Sequence, residues 1–151
     1  MDITKNFKIS CYQSGKSAIE LALCFDSASP YTFIKRSSAL KMGRLFELVE
    51  PELFGGLGNG SFSSREIILL HIKLLEFWCR HVAFVTEDDV LERRYDILVG
   101  HDFMQRYGIK LIPHQGDIEV DEVILELAQK VRSVHNYPTY NRLLPPMITL
   151  N

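Results

Sequence analysis

The stretch "REIILLHIKLL", residues 65–75, constrains the chain most, because its alternation puts Ile68, Leu70, Ile72 and Leu74 on one face of an extended backbone. "EFWCRHVAFVT", residues 76–86, follows at once with the same β-rich character, and the two runs are expected to pair. Further strand partners are present. "FKISCYQ" and "AIELALCF" are β-rich runs joined by "SGKS", whose glycine and serines suit a tight hairpin connection. "YDILVG" reads as a short apolar strand stopping at Gly100, and "IKLIPHQGDIEV" as a hairpin that turns at "HQGD". The pattern predicts an all-β fold.

Helical signals are short or late. "SSALKMG" predicts one or two turns with Ser37 or Ser38 as N-cap and Gly43 as terminator, and "HDFMQRYG" a short helix with Asp102 as N-cap and Gly108 as terminator. "DEVILELAQKVRS" places Val123, Ile124, Leu127, Ala128 and Val131 on one helical face, with acids in its first turn and bases in its last, as the helix dipole prefers. Its simplest role is to cover the core; the alternative is a dimer contact. The tail "VHNYPTYNRLLPPMITLN" carries three prolines and reads as an extended arm able to add an edge strand to a partner. The expected organisation is a β domain over 1–120, an amphipathic helix over 121–134 and an arm over 135–151, without internal repeat.

Composition narrows the function classes. At 151 residues with 46% hydrophobic content the chain can bury one core. A net charge of −2 disfavours nucleic acid or an anionic membrane as partner, since both need clustered positive charge. No apolar run reaches the roughly 18 residues of a membrane helix, and "MDITKNFKIS" lacks the order of a signal peptide, so a cytoplasmic protein is expected. Cys11, Cys24 and Cys79, odd in number and without CxxC spacing, read as reduced thiols. Cys79 and His81 share a strand face with His71 nearby, yet a structural zinc site needs four ligands and no supporting spacing is present, so no metal or cofactor is expected. "ERRYD", residues 92–96, reads as a solvated connection.

The chemistry turns on "FDSASPYTFI", residues 25–34. By itself Asp26 followed by Ser27, Ala28 and Ser29 is what a simple Asx or Ser turn at a strand end looks like. A second motif changes its meaning. "DILVGHDF" places an apolar strand, Gly100 and a helix start 74 positions after Asp26 (100 − 26), and "FGGLGNGSFS", with four glycines from Gly55 to Gly60, lies between them. This order resembles the retropepsins, the retroviral-type aspartic proteases, and their cellular relatives. Their pattern is an apolar strand ending in Asp-Thr/Ser-Gly-Ala/Ser, a glycine-bearing flap, then an apolar pair before glycine. The resemblance runs from about Ile9 to Val120.

What the resemblance implies is a retropepsin-like aspartic protease fold and an aspartic endopeptidase. Two carboxylates a few ångströms apart cannot both ionise and share one proton, so one takes a proton from water while the other donates to the amide carbonyl. With a single Asp-Ser-x-Ser motif and no duplicated half, the implied enzyme is a symmetric homodimer contributing Asp26 twice, without metal. Ser27 would contact its counterpart across the dimer axis, Ser29 would complete the active-site loop, and Gly100 would pack closely against that loop. Gly56, Gly58, Asn59 and Gly60 would belong to a flap closing on an extended polypeptide substrate. Ala28 stands where the family has glycine, which leaves a second implication open. That alternative is a catalytically inactive peptide-binding or dimerisation module on the same fold. A backbone with negative φ at position 28 would accept alanine; a positive φ would not.

Overall fold

In a computed structural model, residues 2–11, 15–57 and 60–134 are described. The strands are β1 (Ile3–Cys11), β2 (Ile19–Phe25), β3 (Phe33–Lys35), β4 (Phe46–Leu57), β5 (Gly60–Leu74), β6 (Phe77–Thr86), β7 (Ile97–Val99), β8 (Ile109–Ile112) and β9 (Asp117–Val120). Helices α1 (Arg36–Met42), α2 (His101–Tyr107) and α3 (Glu122–Val134) follow β3, β7 and β9 respectively. Seven strands form one sheet in the order β1-β2-β7-β3-β6-β5-β4, and β1 also pairs with β5, so the sheet curls back on itself. β8 and β9 make the separate hairpin.

The alternating run behaves as its period dictates. Ile68, Leu70, Ile72 and Leu74 of β5 are all buried, and opposite them Ala83, His81 and Cys79 of β6 point inward in register. Leu23, Phe25, Ile34, Ile97, Val99, Phe103 and Tyr107 close the same core from the other strands and α2. No helix among the described residues is long and apolar enough to cross a membrane.

The helix boundaries depart from the sequence expectation for local reasons. α1 starts at Arg36 with Lys35 as the flanking residue, so neither Ser37 nor Ser38 is its cap. The Ser38 hydroxyl is buried and donates to Asp96 Oδ1 at 2.9 Å, while the Ser37 amide donates to Asp88. Asp96 also accepts from the Ala22 amide through Oδ2, at 2.9 Å, so the "ERRYD" connection ends in a tether between β2 and α1 rather than in solvent. Tyr95 of the same connection is buried, and burial pushes its phenol up to about 12. Gly43 and Gly108 terminate α1 and α2 as expected, Gly108 in the left-handed region at φ 70°. A Cβ at Gly108 would stand 2.8 Å from the Ile124 Cβ, so the glycine also seats α3.

The face that α3 turns inward differs from the one expected. Leu125 is fully buried and Ala128 packs against the core, whereas Val123, Ile124 and Leu127 are 66%, 41% and 52% exposed. Apolar residues spread around more than one stripe of this helix, and the stripe turned to the core is the one that carries Leu125 and Ala128, on a helix that packs against α2. The arm over 135–151 lies outside the described residues.

Candidate active site

Parallel pairing of β2 with β7 sets Phe25 beside Val99, so the chain leaves the sheet at Asp26 and at Gly100 side by side. The Asp26 amide donates to the Val99 carbonyl at 3.0 Å. A tight turn follows, in which the Ser29 amide donates to the Asp26 carbonyl and the Ala28 amide to Asp26 Oδ1 at 2.9 Å. The Ser29 hydroxyl donates to the Tyr31 carbonyl, and the His101 amide to the Ser29 carbonyl at 2.7 Å. These bonds knit residues 26–31 to the start of α2. Gly100 is required by proximity: an added Cβ would lie 2.2 Å from the Tyr31 oxygen and 2.6 Å from the Ser29 oxygen. Its own φ of −96° is open to any residue.

Ala28 is unstrained. Leu75 is the one non-glycine residue with positive φ among the described residues, so position 28 has the negative φ that alanine accepts. Ser27 and Ala28 are exposed at the loop, Ser29 is buried, and Asp26 is half-buried.

A groove of about 340 Å³ opens between this loop and the β4–β5 hairpin, lined by Asp26, Ala28, Ser29, Tyr31 and, from the hairpin, Phe54 and Gly56. Aromatic packing fixes the hairpin over the loop. Phe54 meets Tyr31 edge-on at 5.6 Å and Phe33 at 4.9 Å, and stacks on Phe62 at 5.4 Å. Gly56 has φ 94° and Gly60 φ 112°, values that glycine adopts without cost. Gly60 pairs with Leu57, while Gly58 and Asn59 lie outside the described residues. Asp26, Ala28, Ser29 and Gly56 thus face one groove, Gly100 lies directly beneath the loop, and Ser27 is not among the groove-lining residues.

The roles of three residues beneath the loop escaped the sequence reading. Thr32 Oγ1 accepts from the Gly100 amide at 3.1 Å and donates to Asp102 Oδ1 at 2.7 Å, and Asp102 Oδ2 meets His81 Nε2 at 2.8 Å. Asp102 is therefore not a helix cap; Gly100 occupies that position. The available signal was His81 on the inward face of β6 between Cys79 and Ala83, since a polar side chain in an apolar row needs a partner. Burial raises the Asp102 carboxyl, but the facing His81 and the hydrogen bonds from His81, Thr32 and the Phe103 amide outweigh it and hold the group below its ordinary value. A depressed carboxyl stabilises the fold above its unfolded pKa and loses that contribution as pH falls through the folded value. Tm of the wild type is therefore expected to fall more steeply than that of Asp102→Asn below about pH 4, as followed by circular dichroism.

Neither a family model nor a curated protein matches the chain in sequence. Solved structures do match in shape. The EIAV protease complexed with the inhibitor HBY-793 superposes with a TM-score of 0.54 at 14% identity, covering 74% of this chain and 93% of that one. The retroviral protease-like domain of Ddi1 from Leishmania major superposes with a TM-score of 0.52 at 16% identity, covering 78% of this chain and 84% of that one. The fold is retropepsin-like. At these identities the likeness lies in the path of the backbone, and the retropepsin-like fold found here is the all-β architecture expected from the motif order. Among the described residues, no three His, Cys, Asp or Glu side chains gather as a metal-ligand set.

Proposed function

We propose that the chain is an aspartic endopeptidase that acts as a homodimer, each subunit contributing one Asp26 to a shared water-activating pair. The observation that carries this reading is Asp26 on a rigidly bonded loop, half-buried and lining a groove roofed by a glycine-bearing hairpin. One carboxylate cannot both take a proton from water and give one to the amide carbonyl, so a second Asp26 is the chemical requirement. Ser27, exposed at the loop, is assigned to contact its counterpart across the axis.

The substrate in this reading is an extended polypeptide. β4 is an edge strand, so its backbone groups are available to a peptide laid beside it, and Gly56 allows close approach. Gly58, Asn59 and Gly60 complete the proposed flap. Ala28, with negative φ, leaves the loop in an unstrained conformation, so the alanine is compatible with catalysis. The proposed compartment is the cytoplasm, where the buried thiols Cys11, Cys24 and Cys79 stay reduced.

Subunit mixing tests the shared site. An equal mixture of wild type and Asp26→Asn, exchanged to equilibrium, is expected to retain about one quarter of the activity of the same total concentration of wild type, because only homodimers of the wild type hold two aspartates. Retention of one half, together with a monomer in sedimentation, would rule out the dimeric site.

A further inference from the structure

We infer that His81 and Asp102 are positioning residues for the Asp26 loop, acting through hydrogen bonds that run from the Gly100 amide through Thr32 to the Asp102 carboxylate, whose other oxygen His81 holds. A threonine hydroxyl has one proton to give. Thr32 spends it on Asp102 Oδ1 at 2.7 Å, which leaves its oxygen lone pairs for the buried Gly100 amide at 3.1 Å. The direction holds only while Asp102 keeps an accepting oxygen aimed at Thr32. Two contacts hold that aim: the Phe103 amide donates to Oδ1 at 2.8 Å, and His81 Nε2 bonds Oδ2 at 2.8 Å.

His81 is a firm anchor, because it is 3% exposed on central strand β6 and its ring lies edge-on to Phe103 at 5.2 Å. The same strand grips Thr32 a second time, the Phe84 amide donating to the Thr32 carbonyl at 3.0 Å. Two grips from β6 therefore fix the residue at which the Asp26 loop ends, and through Gly100 they fix the segment to which Asp26 is bonded.

The kinetic arm of the test rests on the proposed peptidase activity; the exchange arm does not. His81→Leu, His81→Gln, Thr32→Val and Thr32→Ser would be compared in the full chain, by kcat and KM on a peptide the wild type cleaves. Amide hydrogen exchange would be read over residues 26–32 and 98–104, with β5 as internal reference. His81→Leu and Thr32→Val are expected to lower kcat about tenfold or more with KM within about twofold, since misplaced reacting groups lose transition-state rather than ground-state interactions. Exchange in both segments should quicken about tenfold while β5 is unchanged. His81→Gln, which keeps a donor, and Thr32→Ser, which keeps the hydroxyl, should recover most of both readouts.

Loop exchange in Thr32→Val that matches wild type, or that rises equally in β5, would overturn the inference. So would a kcat of His81→Leu within about twofold of wild type. Should His81→Leu fail to fold, the Thr32 pair, which leaves the core filled, decides alone. A wild type that cleaves nothing removes the peptidase reading, and exchange in the four variants still decides whether the link from His81 through Asp102 to Thr32 holds the loop.

Discussion

Asp26→Asn protein is expected to leave a diverse unstructured peptide pool intact over about pH 4 to 7, the range in which a proton-sharing carboxylate pair works, while the wild type cleaves it. The loss should reach at least about 10³-fold, because an amide neither accepts a proton from water nor passes one to the scissile carbonyl. Folding should survive. Ala28 donates to Asp26 Oδ1, and an asparagine carbonyl oxygen accepts that bond equally well. Product mass spectra read beside Tm separate a chemical loss from a structural one. Cleavage by both proteins would place the hydrolytic group elsewhere.

Gly100→Ala is expected to destabilise the fold by about 3 kcal/mol, lowering Tm by roughly 10 °C, because overpacking against backbone has no flexible side chain to absorb it. The new methyl would fall 2.2 Å from the Tyr31 carbonyl oxygen and 2.6 Å from that of Ser29. Relief requires the loop to rise, which would stretch the bonds from His101 to Ser29 and from Gly100 to Thr32. Activity should therefore fall even at temperatures where the protein stays folded. A Tm within about 2 °C of wild type would mean that the approach is looser than these distances.

Much of this arrangement was legible because its signals are local. Period-two alternation identified the inward row Ile68, Leu70, Ile72 and Leu74, and chain punctuation identified Gly43, Gly100 and Gly108. What escaped depends on contacts distant in sequence. Thr32 and Asp102 are 70 positions apart, and His81 and Asp102 are 21 apart, so no short motif joins them. Asp102 looked like a cap because it opens a helix, yet a residue with a buried histidine and threonine within reach serves those instead. The inward face of α3 failed for another reason. Periodicity finds apolar stripes but not the side on which the rest of the molecule lies, and Leu125 won that choice over Val123 and Leu127.

The parallel pairing of β2 with β7 has a consequence for the order of events in folding. Leu23 faces Ile97, 74 residues later, and the loop closure needed to join them must be paid before the contact returns anything. A chain emerging from the ribosome holds Asp26 early, but it has no Val99 carbonyl to anchor that residue and no Gly100 to receive its loop until some three quarters of a hundred further residues have appeared. The carboxylate is thus without its anchor throughout synthesis of the hairpin, and completion of the site depends on the least local pairing of the seven-stranded sheet.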